Sequence, residues 1–431
     1  MRLLYLTAGA ADMYCGSCLR DNGLAATLKA HGHDVVLTPV YTPTHTDEAN
    51  VSSSRVFFGG ISVFLEQHIP LFRHTPAFLD RLWDSTPVLR LASKHQIKVD
   101  PHGLGALTVS MLRGLEGNQR KEIVKMLRWL DHLPPFDVVN LPFVLLISLA
   151  KPLREALGVP IACTLQGEDL FLEGLPEPYR TQSLDLIRKS IGDVDLFIAV
   201  SDYYVDFMAD YVGIPRDRIR TVPIGINFDG HEARPVRREP PFTVGFFSRI
   251  APEKGLDMLA EAYRRLRAKP GVPATRLLAG GYLLDEHRDY LKRIERQMGG
   301  WGLAEEFTYA GAPDRDEKIK LLHGMDVLSV PETYADPKGF FLLEAMANGV
   351  PVVEPRHGAF PEIIERTGGG LLVTPGAVDE LTDALFALIT DRDQAAALGW
   401  AGAEGVRRHY GAEQMAAAAE GVYEELVREW R

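Results

Sequence analysis

The chain has 431 residues, 46% of them apolar and 24% charged, the size and composition of two or three folded domains with real cores rather than of a fibrous or disordered protein. Its formal net charge of −11 argues against nucleic acid as the main partner. The three cysteines, Cys15, Cys18 and Cys163, are too few for a disulfide framework and fit a reducing compartment.

The opening MRLLYLTAGA reads as a first strand rather than a signal peptide. The longest apolar stretch, Phe143 to Ala150, is too short to span a bilayer, so a cytoplasmic protein is expected. A strand is predicted over 2–7, a helix over 19–30 stopped by Gly32, and an apolar strand over 34–40. This is a βαβ unit whose first loop lies at a strand's carboxyl end, where doubly wound sheets take ligands. No GxGxxG follows the strand, which counts against a nicotinamide dehydrogenase. Cys15-Gly16-Ser17-Cys18 has thiol-redox spacing at a helix start, but strands and helices alternate far beyond a thioredoxin-sized unit, and Gly16-Ser17 also suits a tight turn at a ligand. A zinc site is disfavoured, because His31 and His33 lie beyond the helix and no second cysteine pair exists.

Residues 41–135 are less regular, with a strand-like ISVFL at 61–65 and helices near 76–95, 104–115 and 119–132. Acceptor specificity is expected here. In QRKEIVKMLRWL, Ile123, Leu127 and Leu130 share a face while Lys121, Lys125 and Arg128 lie elsewhere. That pattern suits a buried helix face, with contact to an anionic membrane surface as the less favoured reading.

Alternation then becomes regular: strand 137–141, helix 144–157, strand 160–165, helix 178–191, strand 195–201, and helix 202–212 capped by Ser201. The loop Gln166-Gly167-Glu168-Asp169 follows a buried strand at its carboxyl end, again a ligand-facing position. Strand 219–224 leads into Asn227, and HEARPVRREPP at 231–241 reads as a linker with Arg234, Arg237 and Arg238 solvated. A second alternating set has strands at 242–248, 275–279, 306–310, 326–330, 350–353 and 370–373, with helices at 255–268, 285–298, 314–323 and 340–348. A segment of high helix propensity closes the chain.

Two stretches carry chemistry. In SRIAPEKG, Arg249 and Lys254 stand five apart on a loop entering a helix, where guanidinium, ammonium and helix N-terminus together neutralise a diphosphate. In PETYADPKGFFLLEAMANGVPVVEPRHGAFPE (331–362), Gly339 opens a helix on which Glu344 lies just over one turn in. Its side chain is long enough to reach back toward the free amides at the helix start. Glu344 lies in an otherwise apolar helix, where a carboxylate needs a partner, and Asp336 is on the loop eight positions ahead of it.

The 331–362 string resembles the acid, seven residues, Glu signature of retaining glycosyltransferases of the family 4 type, which have the GT-B fold. The resemblance covers nearly the whole chain and is strongest over 242–375. It implies an α/β fold of two Rossmann-like doubly wound parallel-sheet domains facing a cleft. An N-terminal domain at 1–230 would take the acceptor, a C-terminal domain at 242–410 the nucleotide-sugar donor, and a helical segment at 411–431 would cross back to the first domain. It implies Glu344 on the ribose hydroxyls, Asp336 on the transferred sugar, and Arg249 and Lys254 on the diphosphate, because SRIAPEKG resembles the family's GRxxxxKG. The amides of Gly339, Phe340 and Phe341 would hold developing charge on the leaving group. Gly16 is the nearest match to a family glycine loop near donor phosphates or acceptor. Gly280-Gly281 matches the glycine turn, Tyr309 to Ala312 the base site, and 223–227 the PxGxD hinge with Asn for Asp. Asp336 replaces the usual Glu and reaches one methylene less, and Pro337 and Lys338 replace Gly and Phe. Gln166 stands where the family has a His near the reacting sugar, and an amide hydrogen-bonds but takes no proton.

The expected activity is metal-independent transfer of a sugar from a nucleoside diphosphate donor, a UDP-sugar first, to a sugar, small-molecule or lipid-linked acceptor. No cofactor or metal is expected. The pairs Asp193/Asp195, Asp314/Asp316 and Asp391/Asp393 read as helix boundaries or surface rather than as metal ligands. Sugar-nucleotide epimerases and phosphorylases share the double fold, and a non-catalytic sugar-nucleotide-binding protein is compatible with Gln166 and Asp336.

Overall fold

The computed structural model describes residues 1–9, 16–74, 101–235, 237 and 239–431. Cys15, Arg238 and the helix expected near 76–95 lie outside the described residues. The chain divides into two compact units, one of residues 1–223 with 416–431 and one of residues 224–415.

The first unit is built on six parallel strands: β1 (Arg2–Thr7), β2 (Asp34–Pro39), β3 (Val138–Leu141), β4 (Ile161–Leu165), β5 (Leu196–Ala199) and β6 (Ile219–Thr221). Their order in the sheet is β2-β1-β3-β4-β5-β6. Every residue of β3, β4 and β5 is buried, which is why these strands read as continuous apolar runs instead of alternating ones. Ser201 caps the helix Asp202–Val212 as expected, its hydroxyl accepting the Tyr204 amide at 3.3 Å. The predicted helix 144–157 divides into a 3₁₀ stretch, Val144–Leu149, and a helix, Ala150–Leu157. Pro152 has no amide to donate back, so the α-helical ladder starts only around it.

One expectation is corrected here. ISVFL is helical, within Gly60–His68: a short apolar run has no periodicity of its own, and packing decides its conformation. The helix Arg120–Leu130 buries Glu122, Ile123, Met126 and Leu130, with Lys125 paired to Glu122 at 3.2 Å, so its apolar face is core. No helix among the described residues is long and apolar enough to cross a membrane.

The second unit repeats the plan with β7 (Phe242–Phe247), β8 (Thr275–Gly280), β9 (Phe307–Tyr309), β10 (Val327–Leu328), β11 (Val352–Pro355) and β12 (Gly370–Val373), ordered β12-β11-β10-β7-β8-β9. Within the 231–241 segment Arg234 is exposed as expected, whereas His231 and Arg237 pack on this unit. His231 is buried and meets Asn348 at 2.8 Å. Arg237 pairs with the buried Asp326, which also takes Arg392 at 2.7 Å.

The C-terminal helix, Ala412–Trp430, enters the first unit at residue 416. Glu420 accepts from His31 at 2.6 Å, and Arg220 pairs with Glu425 at 2.6 Å.

Candidate functional site

In each sheet the strand order reverses once, between β1 and β3 and between β7 and β10. Crevices for ligands open at the carboxyl ends of strands at such points. In the second unit those ends carry the loops 248–255 and 329–339, the two stretches singled out from sequence.

The first loop turns through Pro252–Lys254 into the helix Leu256–Ala268. Gly255 makes this possible: its φ is +76°, and a Cβ there would lie 2.1 Å from the Pro331 carbonyl oxygen. Only glycine lets the two loops touch in this way. The contact is sealed by the Thr333 amide donating to the Glu253 carbonyl at 2.9 Å. Lys254 is thereby driven into the second loop, where its Nζ donates to Glu332 at 2.5 Å, Tyr334 at 2.7 Å and Asp336 at 3.3 Å. All three charged groups are buried. Burial lowers the Lys254 pKa, but Asp336 and Glu332 outweigh it and hold the ammonium above its ordinary value. Burial likewise raises Asp336, while Lys254, Lys338 and the Lys338 amide bring it below the usual carboxylate range. The third loop, after β11, supports the second from behind, with the Ala359 amide donating to the Asp336 carbonyl at 2.9 Å.

Gly339 begins the helix Phe340–Ala347 with φ +73°, a left-handed conformation that a side chain would strain. The amides of Phe340 and Phe341 start the helix and have no acceptor within it. Phe341 is buried edge-on against Phe360, ring centroids 5.6 Å apart, which anchors the helix start. Glu344 does have the partner its apolar surroundings demanded: Lys318, from the helix Arg315–His323, at 2.6 Å with both side chains buried. Arg249 is paired with Glu253 and about a third exposed. Loop 248–250 lies against residues 280–282 through Ser248 N to Gly280 O at 3.2 Å and Ile250 N to Tyr282 O at 2.8 Å, and Tyr309 donates to the Gly281 carbonyl at 2.7 Å.

Lys254 and Asp336 are thus brought into contact, and Arg249, Gly339, Phe340, Phe341 and Glu344 lie on the same loops and helix. Gly16 and Gln166 belong to the first unit. Gly16 is the half-buried first residue of the helix Gly16–Ala30. Gln166 is buried, and its amide nitrogen donates to the Pro142 carbonyl at 2.8 Å, joining the loops after β3 and β4. Beside it Glu168 accepts the Gln166 amide at 2.8 Å and the Val144 amide at 3.3 Å. Burial pushes its carboxyl up to about 7 against those bonds. Cys18 and Cys163 are fully buried, and burial raises the Cys163 thiol, the opposite of a reactive thiolate. The Asp-x-Asp pairs have structural work: Asp314 and Asp391 cap helices, and Asp195 holds Arg154 at 2.8 Å.

Sequence reasoning missed Glu332 and Lys318. Glu332 lies on the loop after β10, at that strand's carboxyl end, a position that marks a ligand-facing residue. Lys318 had no signal, because its partner is on another helix 26 residues away.

Residues 228–404 match the family model described as glycosyl transferases group 1, and residues 109–229 the model for glycosyltransferase family 4. A GDP-mannose-dependent α-(1-6)-phosphatidylinositol monomannoside mannosyltransferase of Mycolicibacterium smegmatis is 31% identical over 275 residues, 59% of this chain and 68% of that protein. The chain belongs to the family 4 type glycosyltransferases. The Mycobacterium tuberculosis protein of the same name is 30% identical over 249 residues, 54% of this glycosyltransferase chain, and the match spans 62% of that relative's length, less than two thirds. An Anabaena protein solved in complex with UDP superposes over 99% of this chain and 100% of its own, with TM-score 0.70 and 17% identity, which shows the GT-B fold.

Proposed function

We propose that this glycosyltransferase moves a sugar from a nucleoside diphosphate donor to a sugar or lipid-linked acceptor, with retention at the anomeric carbon and without a divalent metal. The observation that carries this reading is the meeting of Lys254 and Asp336 at the reversal point of the second sheet, beside a helix opened by Gly339 and bearing Glu344. When the donor's glycosidic bond breaks, charge grows on the departing diphosphate. Lys254, Arg249 and the Gly339 to Phe341 amides are fixed donors that stabilise charge as it develops, the work a metal does elsewhere. Asp336 is proposed to meet the transferred sugar, Glu344 the ribose, and the first unit, with Gly16 and Gln166, the acceptor.

A UDP-sugar is the donor proposed first. GDP-mannose, in the names of the two mycobacterial relatives, is the second reading. Thermal unfolding with UDP, GDP, ADP and dTDP, each with and without magnesium, separates them: ligand at a hundred times its dissociation constant stabilises by about 2.7 kcal/mol. Stabilisation by one nucleotide, equal with and without magnesium, is expected, followed by an α-configured product in the anomeric proton spectrum. A shift seen only with magnesium removes the metal-free reading, and an inverted product removes the retaining one.

A further inference from the structure

Lys254 sets one positive charge against two carboxyls in a space closed to solvent, and the two acids are not equally served. Asp336 accepts from the Lys338 amide at 2.8 Å and the Tyr334 hydroxyl at 3.2 Å, besides the ammonium. Glu332 Oε1 accepts from Lys254, while Oε2 is buried and accepts no hydrogen bond among the described residues. A carboxylate with a bare buried oxygen is costly, and a neutral acid is far less so. The surroundings do not relieve that cost. Glu354 faces Glu332 from β11, its carboxyl held by the Val330 amide at 3.2 Å, and burial raises it well above the carboxylate range. His357 donates from Nε2 to the Glu332 carbonyl at 3.1 Å, and burial lowers its pKa, so it brings no compensating cation. Burial keeps Tyr334 a neutral phenol. Burial first, then Asp336, push Glu332 up to about 8, against the pull of Lys254.

We infer that Glu332 is a positioning residue for Lys254: as the uncharged acid it leaves the ammonium to be shared with an incoming diphosphate, and as the carboxylate it holds the ammonium in the acidic pocket. The inference rests on the donor reading above. Only an O–H bond changes, the proton coming from water and returning to it. Above the pH at which Glu332 ionises, each binding event takes up one proton, so diphosphate affinity falls by up to about tenfold per pH unit. The ligand's terminal phosphate contributes nothing to this limb, because it ionises near pH ~6, and ionisation of the base is common to wild type and Glu332→Gln and so cancels between them.

The test is calorimetric titration of the full chain with UDP and with GDP from pH 6.5 to 9.5, as wild type, Glu332→Gln and Glu354→Gln. Alongside it runs the infrared carboxylic-acid band of wild type minus Glu332→Gln, taken without nucleotide. Expected are a difference band that disappears as pH rises through about 8, an alkaline loss of affinity in wild type and Glu354→Gln, and a flat profile in Glu332→Gln. Absence of the band at pH 7 overturns the inference without touching the donor reading. A present band with pH-independent affinity, or an alkaline limb lost in Glu354→Gln and kept in Glu332→Gln, also overturns it. A present band with no binding of either nucleotide at any pH removes the diphosphate reading and the positioning role of Glu332 with it.

Discussion

The two sheets share one plan and collect opposite chemistries at their reversal points. In the second unit Lys254 is aimed at the sheet edge, and two loops and a helix start converge on it. In the first, the buried cation Arg20 is spent inside the core on Tyr5 at 2.7 Å and Asp21 at 3.2 Å. Among the described residues, the groups after β3 and β4 are amide, hydroxyl and carboxyl: Gln166, Glu168 and the Asn140–Thr164 pair at 3.0 Å. A parallel sheet dictates where a ligand goes, and the loop residues dictate its charge. That difference is why the donor diphosphate is proposed for the second unit and the acceptor for the first.

The comparison breaks most severely at Lys254. Lys254→Ala is expected to lower turnover by about 10²- to 10³-fold, the usual cost of one developing-charge donor, and to abolish nucleotide stabilisation in a thermal-shift assay; near-normal turnover would falsify the diphosphate assignment. Glu344→Ala removes a carboxylate paired with the buried Lys318 at 2.6 Å and is expected to cost about 3 kcal/mol in chemical denaturation. Adding Lys318→Met should restore much of that stability while nucleotide binding stays lost, and recovery of binding in the double variant would make Glu344 purely structural. In the first unit, Glu168 has its folded pKa raised from 4.5 to about 7, so the folded state binds the proton more tightly than the unfolded chain. Its contribution is present below about pH 4.5 and is lost as pH rises to about 7. Wild-type stability should therefore fall across that window by an amount of order 1–3 kcal/mol, and Glu168→Gln should lack the slope in melting curves recorded against pH. The smallest effect is expected from Arg249→Ala. Its pair with Glu253 is partly solvated and worth less than about 1 kcal/mol, so stability should hold while nucleotide affinity drops by about tenfold.

The alternating strands and helices were legible because β3 to β5 and β10 to β12 are short apolar runs separated by helical patterns with clear stops. Helix 202–212 and strand 370–373 needed nothing beyond local signals. Residues 61–65 were not legible, since five apolar residues fit either element and only their packing chooses. At the site, Lys254, Asp336, Gly339 and Glu344 stood out through spacing and a family string. What spacing cannot give is the partner across space. Glu332 and Lys318 decide how the two central charges are held, yet each lies in a part of the sequence remote from the group it serves. Arg237 misled for the same reason: in a segment of prolines and charges it looks solvated until Asp326, far along the chain, is found to hold it.

The first unit is discontinuous, and that sets an order of events during synthesis. Residues 224–415 form one uninterrupted stretch and can close as soon as they have left the ribosome, since domains fold as units when their residues become available. Residues 1–223 emerge earlier but wait longer. Tyr423, buried in the same unit as Tyr5 and Arg20, and Glu420 and Glu425, which tie down His31 and Arg220, are made about two hundred residues later. The half of the molecule that is translated first is therefore the half that is finished last.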